Sequence, residues 1–142
     1  MTRLATGLAG AAALLLAGLS GARADAERGQ VVFQRCYACH SVKAEENNLQ
    51  GPSLSGVLGR RAGTVPGFEY SPAMIEAGAK RRLVWTWKTL DAFLADPHRF
   101  VPGTSMSMPP LRDPVDRRDV IDYLAQNAKG PRGAAETSPP TR

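Results

Sequence analysis

Cys36-Tyr37-Ala38-Cys39-His40 sets two thiols two residues apart with an imidazole directly after them, and the rest of the chain reads outward from this stretch. At that spacing the thiols suit thioether addition across two neighbouring haem vinyl groups while the adjacent imidazole points at the iron, so attachment and ligation form one local unit. Two other chemistries share the C-x-x-C pattern. A redox dithiol wants a thioredoxin-like strand and helix around it, and zinc wants further ligands at fixed spacing. The chain supplies neither, since its other histidine, His98, has no ligand-spaced companion. A disulfide between Cys36 and Cys39 would close a tiny loop and contribute little stability.

Upstream, Arg3 is followed by Leu4 to Leu19 with nothing charged, and then by Ala22-Arg23-Ala24 ahead of Asp25. A cationic start, an apolar stretch and a small-x-small site predict a secretory signal peptide over residues 1–24, cleaved after Ala24 and sending the chain to the periplasm. The alternative is retention as an anchor, although a spanning helix wants about 20 apolar residues. Cleavage leaves 118 of the 142 residues, enough for one domain and too few for two. Losing Arg3 and Arg23 takes the 18 basic residues to 16 against 13 acidic ones, and the arginines are scattered, so the chain carries no nucleic-acid footprint.

The mature chain predicts an all-α fold of helices and long loops. Asp25 is placed to cap a first helix with Gly29, Val32, Phe33 and Cys36 on its apolar face, which delivers the cysteines at its end. From Ser41 to Ala79 the chain is rich in Gly, Pro and Asn with little periodicity, and loops this long need a partner to pack on. Within that stretch Ser71-Pro72 predicts a short helix stopped at Gly78. Another helix spans Trp87 to Ala95, with Leu90, Phe93 and Leu94 on one face and Pro97 ending it. Asp113-Pro114 opens a final helix carrying Val120, Tyr123, Leu124 and Asn127 on one side, closed by Lys129, Gly130 and Pro131. The domain is thus predicted over 25–130, and the tail over 131–142, rich in Pro, Gly, Ser and Thr with no apolar run, is predicted to be disordered.

A haem iron in a carrier needs a second axial ligand, and the downstream candidates are His98, Met106 and Met108. A thioether there raises the reduction potential relative to two histidines. Both methionines fall in Pro102-Gly103-Thr104-Ser105-Met106-Ser107-Met108-Pro109-Pro110, an irregular stretch with no periodicity that would make them helix core.

Taken together, the motifs resemble the class I cytochromes c, mitochondrial type with bacterial periplasmic relatives, over roughly Asp25 to Ala128. Beside the cysteine motif the likeness includes Gly51-Pro52-x-Leu54-x-Gly56-x-x-Gly59-Arg60, Gly63, Pro66-Gly67-Phe68-x-Tyr70-Ser71, Trp85, Pro97, Pro102-Gly103-Thr104-x-Met106 and Tyr123-Leu124. The resemblance implies one covalent haem c on Cys36 and Cys39, with His40 and Met106 as axial ligands and Met108 as the alternative to Met106. It further implies that the Pro52 carbonyl receives the other imidazole N–H, fixing the ring. Arg60, Tyr70, Ser71 and Trp85 would hydrogen-bond the haem propionates, so that a buried carboxylate is not left unpaired. Thr104 joins the cofactor-binding set.

The chain departs from the family in places. Phe93 stands where the mitochondrial type usually has a tyrosine reaching the methionine sulfur, and Met108 replaces an aromatic near the exposed haem edge. The docking lysines are largely missing: Arg35, Arg99 and Arg112 keep charge, whereas Leu49 and Ser105 do not. The resemblance implies a monomeric periplasmic one-electron carrier, not an enzyme, that docks transiently with redox proteins between a dehydrogenase or respiratory complex and a terminal acceptor. The alternatives are a dedicated haem subunit of one enzyme complex and, more remotely, a haem peroxidase or gas sensor. A dihaem peroxidase would need a second C-x-x-C-H, which the chain lacks.

Overall fold

A computed structural model describes residues 27–44, 46 and 49–127. The proposed signal segment 1–24, the Asp25 cap, the closing residues Lys129 to Pro131 and the tail 131–142 lie outside the described residues. Those that are described form helices and long loops, with one isolated antiparallel bridge, Arg61 to Val84. No helix among them is long and apolar enough to cross a membrane.

The first helix, α1, is described over 27–33 and tightens into turns that carry on to residue 39. Its predicted face is the buried one: Phe33 is 2% exposed, and Gly29 and Cys36 are buried with it. The amides of Cys39 and His40 both donate to the Cys36 carbonyl, at 3.0 and 2.9 Å, which turns the thiols and the imidazole toward one side.

Helix α2 spans Pro72–Ala79, and the Ser71 hydroxyl accepts from the Met74 amide at its start. Gly78 does not stop it. That residue is buried inside the helix, where an added Cβ would run into the Ala62 carbonyl, so this glycine permits close approach instead of terminating the helix. Helix α3 spans Trp87–Ala95 with Leu90, Phe93 and Leu94 buried. Thr86 and Thr89 cap it reciprocally: each side-chain oxygen accepts from the other residue's amide, at 3.2 and 2.8 Å. Pro97 does end α3, but it also opens a further short helix, α4, over Pro97–Phe100, because Asp96 caps the Arg99 amide at 3.0 Å and proline suits a first helical turn.

Helix α5 spans Pro114–Gln126 from an Asp113 cap. Its inward face is wider than the sequence pattern suggests, since Ile121 is 0% and Asp119 2% exposed alongside Val120 and Leu124. Asn127 is not core; its side-chain amide donates to the Tyr123 carbonyl at 2.8 Å. Helix α5 packs on α3, and α1 crosses α5 where Gly29 meets the Asp119 backbone and the Phe33 and Tyr123 rings sit 5.3 Å apart.

Two loops complete the body. Segment 59–62 pairs with 83–85 through Gly59 to Trp85, Trp85 to Arg60 and Ala62 to Leu83 backbone bonds of 2.8 to 2.9 Å, which sets Arg60 beside Trp85. Val101-Pro102-Gly103-Thr104 is a type II turn: the Thr104 amide donates to the Val101 carbonyl at 3.0 Å, and Gly103 takes φ +89°.

Candidate functional site

The turns after α1, the loop at 50–57, the paired segments around Arg60 and Trp85, the inner faces of α3 and α5 and the loop at 104–109 enclose one cleft of about 330 Å³. That volume suits a small-molecule or cofactor site. Its floor is apolar, formed by Leu90, Phe93 and Leu94 of α3 with Val120 and Leu124 of α5.

Cys36, Cys39 and His40 all line the cleft, and both thiols are free. The His40 ring is fixed from two sides. Its Nδ1 lies 2.8 Å from the Pro52 carbonyl oxygen, so this nitrogen donates and Nε2 is left as the basic one. Against its other flank lies Gly51, where a Cβ would come within 2.6 Å of Nδ1 and 2.8 Å of Nε2. The Gly51 amide in turn donates to the Cys39 carbonyl at 2.7 Å, tying the loop to the motif. Burial holds the His40 pKa below its usual value, the Pro52 bond opposes that shift, and Arg60 adds to it; the imidazole is therefore neutral and available as a ligand. Burial pushes the Cys36 thiol up to about 11, against the pull of Arg35 and with a push from Cys39. A dithiol catalyst needs the opposite shift.

Arg60 and Tyr70 line the cleft together with Trp85. The Arg60 guanidinium donates to the Ser55 and Ser53 carbonyls at 3.0 and 2.9 Å, and no carboxylate pairs with it among the described residues. Burial lowers its pKa and Tyr70 raises it. The Tyr70 hydroxyl accepts from the Val65 amide at 3.4 Å, and its own pKa is raised by burial. Such a part-buried cation facing an apolar cleft suits a ligand carboxylate. Ser71 lies elsewhere: its hydroxyl is engaged at the start of α2 and does not line the cleft. Thr104 lines it at 6% exposure, its hydroxyl accepting from the Met106 amide at 3.3 Å.

Met106 and Met108 both line the cleft, whereas His98 is exposed on α4 and does not. Of the three downstream candidates for the second ligand, the cleft thus brings together the two thioethers and not the imidazole. Four of the contributing residues had no assigned role in the sequence: Gly51 as the cradle of the His40 ring, Ser53 and Ser55 with the carbonyls that hold Arg60, and Met74 of α2 in the wall. Gly51 carried a signal, as the residue beside the proposed Pro52 acceptor; Met74 carried none, since helical periodicity does not tell core from cleft.

The donor set fits a covalent haem c: two thiols, a neutral imidazole, thioethers, an apolar floor and a cation for a carboxylate. Comparison with known proteins points the same way. A family model described as Cytochrome c matches residues 26–128. The chain is 46% identical over 101 residues to cytochrome c2 iso-2 of Magnetospirillum molischianum, across 71% of this chain and 96% of that protein. It is 39% identical over 106 residues to cytochrome c of Cochliobolus lunatus, across 74% of this chain and 94% of that one. Among solved structures, cytochrome c2 from Rhodospirillum centenum aligns with a TM-score of 0.69 at 38% identity, covering 73% of this chain and 98% of its own. Cytochrome cH from Methylobacterium extorquens aligns with a TM-score of 0.65 at 40% identity, covering 72% and 98%.

Proposed function

The chain belongs to the class I cytochromes c, and we propose that it is a periplasmic one-electron carrier with one haem c, bound through Cys36 and Cys39 and ligated by His40 and Met106. Membership makes it an electron-transfer protein with a covalently attached haem rather than an enzyme. The observation that carries the finer reading is the convergence of both thiols, the Pro52-bonded imidazole and Met106 on one apolar cleft.

The haem, when bound, supplies a centre that takes up and gives back one electron. The chain's part is to hold that centre unchanged through the exchange. His40 donates from Nδ1 to Pro52, which fixes the ring's rotation and turns Nε2 to its task. Leu90, Phe93, Leu94, Val120 and Leu124 keep water from the interior, so few dipoles reorient when the charge changes. Arg60 offsets the charge of one carboxylate, with Tyr70 and Trp85 beside it. With His40 and Met106 both holding the haem iron, no position would be open for substrate, and exchange would take place with proteins that dock transiently. Residues 1–24 serve as the export signal in this reading, cleaved after Ala24.

Met106 is assigned over Met108 because the Thr104 hydroxyl holds the Met106 amide and the family pattern runs without a gap from Trp85 to Tyr123. Replacing Met106 by Ala is expected to abolish the weak red absorption of a thioether on ferric iron, and replacing Met108 to keep it. The reverse result would move the assignment to Met108. Carbon monoxide should bind the ferrous protein poorly at neutral pH; ready binding would favour the peroxidase or sensor reading. A second reading, a haem subunit held by one enzyme complex, draws on Arg35, whose guanidinium lies 3.5 Å from Asp116 and so offers less charge for steering. Copurification with a single complex would support it.

A further inference from the structure

Between α4 and α5 the chain runs from Val101 to Asp113 with no regular structure, and this loop carries Met106 and Met108, two of the methionines that line the cleft. Its first end is fixed locally by the Val101 to Thr104 turn and by the Thr104 hydroxyl under the Met106 amide. Beyond Met106 it has few means of holding itself. Pro109 and Pro110 have no N–H to donate, and the next backbone bond from the loop among the described residues is Leu111 to the Leu94 carbonyl of α3, at 2.9 Å.

At that point one side chain gathers three partners. Arg117 of α5, with its side chain only 12% exposed, donates from Nε to Asp91 of α3 at 2.7 Å. From Nη1 it donates to the Leu111 carbonyl at 2.8 Å and the Arg112 carbonyl at 3.0 Å. The loop's far end, α3 and α5 thus meet on one guanidinium. Asp91 sets the plane of the fork, and the fork presents its remaining N–H groups to the two carbonyls; an ammonium is a point charge and cannot hold all three in one plane.

We propose that Arg117 is a positioning residue that keeps the Met106 loop closed over the cleft by clamping Leu111 and Arg112 to α3. The proposal rests on the reading of Met106 as a ligand, and deepens it. An outside ligand can replace a thioether only while the loop is open, so its apparent affinity scales with the open fraction. Loosening the clamp raises that fraction without changing the site itself.

The test uses haem-loaded ferric protein, titrated with imidazole while the red absorption is followed. Arg117→Lys keeps the charge and most of the bulk, so the fold is retained. It is expected to show the red absorption and to lose it at a roughly tenfold lower imidazole concentration than the parent. Asp91→Asn should move the midpoint the same way by less. Asp119→Asn, which breaks a buried ion pair at the α1–α5 junction away from the loop, should lower the unfolding temperature and leave the imidazole midpoint in place. An unchanged midpoint in Arg117→Lys, with a lowered unfolding temperature, would overturn the proposal and leave Arg117 a merely structural residue. Amide hydrogen exchange over 105–112 gives a readout that does not depend on which side chain ligates: faster exchange there in Arg117→Lys supports the clamp, and unchanged exchange refutes it. If Met106→Ala keeps the red absorption, the ligand reading fails by itself, and the exchange measurement still decides on Arg117.

Discussion

His40 is held by neighbours that act on different atoms: Pro52 takes the Nδ1 hydrogen, and Gly51 leaves room for the ring. Gly51→Ala would place a methyl within 2.8 Å of Nε2 and force the imidazole or the loop to move. The expected cost is about 1–3 kcal/mol of stability, read from the denaturant midpoint, with a lower haem content at equal expression. Tyr70 predicts a pH effect. Burial raises its pKa above the ordinary 10.0, so the unfolded chain loses that proton first. Its contribution to stability is therefore complete below pH 10.0 and is lost as pH rises toward the folded value. The difference in unfolding free energy between parent and Tyr70→Phe should be flat below that point and shrink above it. Arg60 and Trp85 were legible as site residues only through a family pattern, since by themselves they read as a solvated surface charge and a core aromatic.

At the scale of elements, the helices announce themselves. Ser71-Pro72, Asp113-Pro114 and the Leu90, Phe93, Leu94 face act within one or two turns, and the structure places α2, α5 and α3 where those signals stand. Where helices cross, local signals run out. Gly29 looks like a weak helix residue, yet a Cβ there would strike the Asp119 carbonyl of α5. Asp119 looks like a surface acid on a polar helix. Its side chain is instead buried against Arg28 at 2.9 Å and Arg118 at 2.9 Å. Asp119→Asn is expected to cost about 1–3 kcal/mol, since both arginines keep some access to water, and Gly29→Ala a similar amount by pushing the helices apart. Urea unfolding measures both. A change below about 0.5 kcal/mol in each would mean that the junction tolerates separation.

For the whole molecule, loops and cofactor stand or fall together. The segments 49–71 and 101–113 are long and irregular, and they turn much of their inner surface to the cleft rather than to each other. A domain of this size has little stability in reserve. The chain with Cys36→Ser and Cys39→Ser, made without haem, should therefore show little helical signal in far-ultraviolet circular dichroism; native helicity would refute that coupling. The cofactor class and most helix faces were determined by the sequence alone, because the spacing of Cys36, Cys39 and His40 and the i, i+3, i+4 pattern are short-range properties of the chain. Only the tertiary structure decided which distant residues meet. It brought the Pro52 carbonyl to His40, set Arg60 against Trp85, left His98 outside the cleft and gathered Leu111, Arg112 and Asp91 on Arg117. The physical reason is that each of these contacts depends on how loops close and helices cross, which the pattern of neighbouring residues does not encode.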